Sequence, residues 1–189
     1  ATGLDALTHA VEAYTSKAAN PLSDACALYA IELINLHLTT AVKQPENRDA
    51  RAGMMTGSLL AGIAFSHSDV ASVHCIAEAM GGKYDTPHGI CNAVALPAVM
   101  EYNLDFAEDR YARIASAMGF RFNGSREGAE RAVDRAKELV RETGLPGFSS
   151  FGAEEADFQE LAEKSEWNGS NKDNPRPMAA ADYMDVLRR

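Results

Sequence analysis

Cysteines, long apolar segments and excess positive charge are all scarce in this sequence. The three cysteines (Cys26, Cys75 and Cys91) form no CxxC pair and are odd in number. This argues against a disulfide framework and favours a reducing cytoplasm. No apolar run approaches the roughly 20 residues that a bilayer-spanning helix needs, and no basic-then-apolar leader opens the chain, so we expect no membrane partner.

Acidic residues outnumber basic ones by 27 to 18, which gives a formal net charge of −9. Nucleic acids and anionic membranes both bind positive surfaces, so this balance disfavours them as partners. Apolar residues make up 46% of the 189 residues, which is enough for a domain with a real core. The sequence begins with Ala1 rather than methionine, as a piece of a longer protein would.

Strand-like alternation of apolar and polar residues is also missing, and helical spacing takes its place. Caps, prolines and glycines divide the chain into successive helices. The first predicted helix ends near Lys17, the second covers 21–42, the third begins after an Asn47 cap, and the fourth stops at Gly81-Gly82. The fifth begins near His88 and is interrupted at Pro97, the sixth covers 106–118 after an Asp105 cap, and the seventh extends from a Ser125 cap to Gly144. An eighth helix is predicted at 153–164, and a last short helix follows a loop at 168–177. The sequence predicts an all-α fold, a helical bundle that forms one domain over residues 1–189.

One carboxylate and one imidazole lie four residues apart in the first predicted helix. Asp5 and His9 would share a helix face with Cβ atoms about 5–6 Å apart, so together they could hold one cation. An ordinary helical contact between the two side chains is the alternative, and the pair alone does not decide between these interpretations.

Two further histidines flank a predicted chain reversal. His74 lies on the helix that ends in a double glycine, and His88 follows a Thr86-Pro87 cap and first turn. The reversal could bring His88 beside His74. Three imidazoles and one carboxylate suit iron or zinc and would leave a coordination position free, as a catalytic metal requires. Taken singly, each histidine could equally be exposed or hydrogen-bonded.

Three sequence blocks, in order, resemble the iron-containing (group III) alcohol dehydrogenase family. Residues 2–10 (TGLDALTHA) are similar to the signature that opens the family's C-terminal domain. Ala64-Phe65-Ser66 with Val73-His74 and the following Met-Gly-Gly resembles the second block, and Thr86-Pro87-His88-Gly89 the third. Residues 174–177 (NPRP) are similar to the closing loop. The resemblance covers nearly the whole chain but only about half of a family member.

The resemblance implies a role for each matched residue. It places the iron ligands on Asp5, His9, His74 and His88, the same quartet that the spacing suggests, within a dehydroquinate-synthase-like helical domain. Phe65 would be an apolar residue of the cofactor-binding pocket, with core packing as the alternative. Glu78 stands where many members carry a further histidine, so it could accept the catalytic proton, or it could be a solvated helix residue.

The family's glycine-rich dinucleotide site has no counterpart in the sequence. The resemblance therefore implies the metal-carrying domain of an NAD- or NADP-dependent alcohol dehydrogenase whose N-terminal nucleotide-binding domain is absent. In the complete enzyme Fe²⁺, with Zn²⁺ as the alternative, would act as a Lewis acid on a small alcohol or aldehyde during hydride transfer. We expect the chain alone to be inactive, and the family suggests a homodimer. The alternatives are a non-catalytic metal-binding fragment, a purely structural bundle, and a zinc polyol dehydrogenase or lyase relative.

Overall fold

Helices dominate the computed structural model, which describes all of residues 1–189 and contains no β-strand. The α-helices are α1 (Thr2–Thr15), α2 (Pro21–Lys43), α3 (Arg48–Phe65), α4 (Ser72–Tyr84), α5 (His88–Ala117), α6 (Ser125–Thr143), α7 (Phe158–Trp167) and α8 (Ala180–Leu187). Short 3-10 segments occupy Phe148–Phe151, Glu155–Asp157 and Gly169–Asp173. The predicted all-α fold is confirmed.

Local capping signals set three helix ends where the sequence predicts them. The Asn20 side chain accepts hydrogen bonds from backbone N–H groups in the first turn of α2. Asn47 does the same for α3. α6 ends at Gly144, whose φ of 65° lies in the left-handed region that favours glycine. These ends are predictable because the capping groups and their partners are neighbours in sequence.

The predicted end of α4 at Gly81-Gly82 is wrong, because the helix continues to Tyr84. It ends at Asp85, which adopts a left-handed conformation with φ of 53°. The Tyr84 hydroxyl donates a hydrogen bond of 2.5 Å to the Asp157 carboxylate, just before α7. This contact from a distant part of the chain stabilises a last turn that the two glycines alone would disfavour.

The predicted fifth and sixth helices form one element, α5, which has a kink close to the predicted start of the sixth helix. Pro97 lies inside it, and the non-helical residue is Ala107, with φ of −128° and ψ of 21°. Asp105 is therefore not an N-cap, and its carboxylate pairs with Arg126 of α6. Further along, the predicted helix at 153–164 begins only at Phe158.

Close packing around α1 positions the functional residues. α1 contacts α2, α3 and α5, and most of the buried apolar side chains form one continuous cluster of 44 residues. α2 and α3 approach closely at Gly57, where an added Cβ would lie 2.8 Å from Cγ1 of Ile34. At the other end of the chain, α7 and α8 pack on each other, and α7 packs on α4.

By length and composition, α2 is long and apolar enough to cross a membrane, which corrects the expectation that no segment is. Only 28% of its most apolar 18-residue stretch is buried inside the protein. Its exposed apolar side chains include Leu22, Tyr29 and Leu36. The core helix of a soluble protein can have the same length and composition. Here α2 packs against α1 and α3.

Candidate metal centre

The four residues proposed from the sequence as metal ligands form one cluster. Asp5 and His9 extend from α1, His74 from α4 and His88 from the first position of α5. The ligand-type atoms of Asp5, His74 and His88 all lie within 4.8 Å of one another. His9 joins them through His74, because the Nε2 atoms of these two rings are 3.1 Å apart.

A glycine allows the start of α5 to approach α1. A Cβ added to Gly89 would lie 3.2 Å from Cβ of Asp5 and 3.3 Å from the backbone of Ala1. This close approach places His88 Nε2 at 3.8 Å from Oδ1 of Asp5. The helix begins at His88 as predicted, but Thr86 does not cap it, because Pro87 holds the N-cap position without a side-chain hydrogen bond.

The hydrogen bonds of His9 and His74 fix which ring nitrogen carries the proton. Nδ1 of His9 is 2.8 Å from the backbone oxygen of Asp5, and Nδ1 of His74 is 2.5 Å from the carboxylate of Glu12. Carbonyl and carboxylate oxygens only accept, so both rings donate from Nδ1. In the neutral form, each ring then presents an Nε2 lone pair to the other ring.

The two histidines respond differently to this environment. Burial, followed by the neighbouring His74, lowers the pKa of His9. Burial also tends to lower the pKa of His74, but the hydrogen bond and charge of Glu12 outweigh it, so that this pKa is raised. Positive charge is therefore favoured beside Nε2 of His74, where a proton or a cation could supply it.

Glu12 is a site residue that the sequence analysis missed. Its side chain is 4% exposed and extends from α1 to contact the ring of His74. The carboxylate accepts hydrogen bonds from the backbone N–H groups of Ala71 (3.0 Å) and Val73 (2.6 Å) as well as from the His74 ring. It thereby joins α1 to the first turn of α4 and orients a proposed ligand.

Asn92 is the second residue that the sequence analysis missed. It lies one turn after His88 on α5 and is completely buried. Its Nδ2 atom is 2.6 Å from Oδ1 of Asp5 and 3.0 Å from the Nε2 atoms of both His74 and His88. Its Oδ1 atom has no hydrogen-bond partner.

The donor set of this cluster fits a divalent cation. The two amide hydrogens of Asn92 face three possible acceptors, which belong to Asp5, His74 and His88, and Nε2 of His9 is a fourth acceptor nearby. The acceptor lone pairs therefore outnumber the hydrogens that could occupy them. A bound cation would occupy the remaining lone pairs. Three imidazoles and one carboxylate are a donor set that both iron and zinc accept.

Phe65 lies against the cluster at the end of α3. The centroid of its ring is 4.5 Å from that of His9, in a tilted arrangement. It also lines an open groove with Met55, Leu59 and Ile63 of the same helix. Because Phe65 is only partly buried and also packs on the core, its position is compatible with both a pocket wall and core packing.

Glu78 lies one turn after His74 but is exposed. Its carboxylate accepts a hydrogen bond of 2.6 Å from the side chain of Asn168. No hydrogen bond joins it to the proposed ligand histidines. Its role as a proton acceptor stays a prediction.

Comparison with known proteins identifies the family of this chain. Residues 1–189 match the model of the Fe-containing alcohol dehydrogenase family, C-terminal. The chain is 45% identical to 1,3-propanediol dehydrogenase from Klebsiella pneumoniae and 37% identical to NAD-dependent methanol dehydrogenase from Bacillus methanolicus, and each alignment covers 100% of this chain and 50% of the relative. A crystal structure of 1,3-propanediol oxidoreductase superposes with a TM-score of 0.96 at 42% identity, covering 98% of this chain and 50% of that one.

The chain thus spans about half the length of the curated relatives that it matches. The match runs the full length of the sequence and includes all three blocks on which the resemblance depends. The structural superposition extends the agreement to the arrangement of the helices. The chain belongs to the Fe-containing alcohol dehydrogenase family and corresponds to its C-terminal, helical part.

Proposed function

We propose that this chain is the metal-carrying domain of an NAD(P)-dependent alcohol dehydrogenase. In this proposal Asp5, His9, His74 and His88 hold a divalent iron ion. The observation that carries the proposal is the 3.1 Å approach of the His9 and His74 Nε2 atoms, whose rings already donate from Nδ1 to other groups. The family supports iron, while the donor set also suits zinc.

The bound ion would supply Lewis acidity, which polarises the oxygen of an alcohol or aldehyde. The groups around the ion would orient its proposed ligands. The backbone oxygen of Asp5 and the carboxylate of Glu12 hold two imidazoles with Nε2 facing inward. The Phe65 ring packs against one side of the His9 ring, with the ring centroids 4.5 Å apart. Glu78, exposed one turn beyond His74, would receive the proton that the alcohol loses.

The hydride acceptor would be the nicotinamide of NAD or NADP, bound by a separate N-terminal nucleotide-binding domain. The relatives are about twice as long as this chain, which leaves room for such a domain in the full protein. Hydride transfer needs the reacting atoms about 3–3.5 Å apart, so the 189-residue chain alone should bind metal but not oxidise alcohols.

The proposed substrate is a small primary alcohol or diol, or the corresponding aldehyde. Two of the similar proteins are named for 1,3-propanediol and one for methanol. The groove beside Phe65 is lined by Met55, Leu59 and Ile63, and an apolar wall of this kind suits the carbon chain of such a molecule. We therefore choose 1,3-propanediol as the first substrate to test.

Metal analysis tests the ligand assignment directly. The purified chain is stripped with a chelator, dialysed anaerobically against Fe²⁺ or Zn²⁺, and analysed by elemental mass spectrometry. We expect about one metal ion per chain, its loss in His74→Ala, and its retention in His37→Ala, because His37 packs on Gly53 away from the cluster. Equal metal content in the two variants, or no metal in the wild type, would refute the assignment.

Activity measurements test the need for the nucleotide-binding domain. NADH formation from 1,3-propanediol is followed with the chain alone and with the chain fused to the N-terminal half of a relative. We expect turnover only in the fusion. Turnover by the chain alone would contradict the proposed division of labour, and sedimentation of the fusion would test the predicted homodimer.

A further inference from the structure

Glu12 is a buried carboxylate beside the centre that has no lysine or arginine as a partner. Its ion-pair partner is the ring of His74, and its other hydrogen bonds come from backbone N–H groups. Both carboxylate oxygens accept hydrogen bonds, an arrangement that fits the ionised form. A buried negative charge without a lysine or arginine needs compensation from elsewhere.

We propose that Glu12 is a positioning residue of the metal centre, which keeps the proton of His74 on Nδ1 and compensates part of the charge of the bound ion. This inference rests on the proposed function. Without an acceptor at Nδ1, the His74 ring could carry its proton on Nε2 instead, and Nε2 would then be unable to bind a metal.

The charges of the cluster support this role. Asp5 supplies one negative charge to the ligand set and Glu12 a second, so together they balance a divalent cation. The three imidazoles bind in their neutral form and add none. Glu78, a carboxylate of α4, is exposed and hydrogen-bonded to Asn168, and its charge raises the pKa of His74 less than those of Glu12 and Asp5 do.

Glu12 also has a structural role, which any test must separate from positioning. Its hydrogen bonds to the N–H groups of Ala71 and Val73 satisfy donors at the start of α4, as an N-cap residue would. Removing the carboxylate is therefore expected to lower stability whether or not the residue acts on the metal. A melting temperature alone cannot distinguish the two roles.

The test compares Glu12→Gln with Ser16→Ala. Ser16 is a matched control, because its buried hydroxyl donates a 2.6 Å hydrogen bond to the backbone oxygen of Ser68, which ties the end of α1 to the segment before α4 without touching His74. Zn²⁺ affinity is measured by competition with a fluorescent chelator. The protonated ring nitrogen of His74 is identified in the metal-free protein by ¹⁵N NMR.

Glu12→Gln removes the negative charge and leaves one acceptor oxygen for the three N–H donors, so we expect it to weaken Zn²⁺ binding about 10- to 100-fold and to shift part of the His74 proton from Nδ1 towards Nε2. Ser16→Ala should lower the melting temperature and leave both readouts unchanged. If Glu12→Gln fails to fold, Glu12→Asp replaces it, because the shorter side chain keeps the charge but should not reach the ring, and it too should weaken binding.

The possible failures are distinguishable. If the wild type binds Zn²⁺ and Glu12→Gln binds it equally well, or if Ser16→Ala weakens binding as much, the positioning role is overturned while the proposed function stands. If the wild type binds no Zn²⁺, the proposed function fails. In that case a His74 proton on Nε2 in the metal-free wild type would overturn the orienting role of Glu12 as well.

Discussion

The side-chain amide of Asn92 donates a hydrogen bond to the carboxylate of Asp5, with Nδ2 and Oδ1 2.6 Å apart. Asn92 is buried on α5 and Asp5 lies on α1, so this bond connects two of the helices that carry proposed ligands. No other hydrogen bond reaches the Asp5 carboxylate, because its contacts with His9 and His88 are 3.7 and 3.8 Å long. Asn92 therefore fixes the orientation of the one anionic side chain among the four proposed ligands.

Replacing Asn92 with alanine should weaken metal binding. Without the amide, the Asp5 carboxylate is free to rotate, and ordering it on the ion costs affinity. We expect Zn²⁺ binding to weaken about 10-fold in Asn92→Ala, measured by chelator competition. Asn103→Ala is the control, because Asn103 is a second buried amide of α5 that pairs with Asn174 at 2.9 and 2.8 Å. Equal affinity in the two variants would show that Asn92 has no such role.

The spacing of the proposed ligands could be interpreted from the sequence because helix geometry fixes it. Asp5 and His9 share a face of α1 by virtue of their four-residue separation. The turn before His88 was recognisable from its glycines and proline, although α4 continues past the glycines. The motifs of the family then assigned the same four residues. The relation between α1 and α4 could not be obtained from local spacing.

Glu12 and Asn92 show what the sequence analysis overlooked. Glu12 lies three residues after His9, on the same face of α1, and stands between the apolar residues Val11 and Ala13. Asn92 lies four residues after His88. Both residues lie at helical spacing from a proposed ligand. Their roles, however, depend on hydrogen-bond partners more than 50 residues away in the sequence, which are His74 for Glu12 and Asp5 for Asn92. Only the tertiary structure identifies those partners.

The contact between α2 and α3 should depend on Gly57. An added Cβ there would lie 2.8 Å from Cγ1 of the fully buried Ile34 and 3.4 Å from the backbone oxygen of Ala30. Overpacking of this kind costs about 1–3 kcal/mol, against a gain of about 1 kcal/mol in helix propensity. We expect Gly57→Ala to lower the free energy of unfolding in urea titrations.

Gly62→Ala provides the matched comparison within α3. A Cβ at Gly62 would meet nothing within 4 Å, so the substitution should stabilise the protein by about 0.5–1 kcal/mol through helix propensity alone. If both variants gain stability, the close approach at Gly57 does not constrain the packing of α2 on α3.

The ion pair between α4 and the start of α7 should depend on pH. A hydrogen bond from Tyr84, followed by one from Lys83, holds the pKa of Asp157 below its usual value of 3.8. A carboxylate with a lowered folded-state pKa contributes stability that is fully present above its unfolded value and is lost as the pH falls through its folded value. The contribution should therefore disappear in strong acid.

Asp157→Asn should lower the melting temperature at neutral pH, and the difference from wild type should shrink as the pH falls below 3.8 and vanish once Asp157 is protonated in the folded protein. The effect will be modest, because exposed ion pairs are screened by water. Asp134→Asn, an exposed aspartate of α6 without an ion pair, should show no such difference at any pH. A difference for Asp157→Asn that persists unchanged in acid would mean that the charge is not responsible.

The reactivity of each cysteine thiol should depend on how deeply the thiol is buried. Cys75 and Cys91 are 1% and 0% exposed, and burial raises the pKa of Cys75 to about 12 and that of Cys91 to about 11. Because the thiolate is the reactive form, both should resist a disulfide reagent at about pH 8. Cys26, partly exposed on α2, should react alone in the native protein, and all three thiols should react in denaturant. Cys26→Ser should then leave the native protein almost unreactive, whereas rapid loss of a second thiol would show that α4 or α5 opens readily around its cysteine.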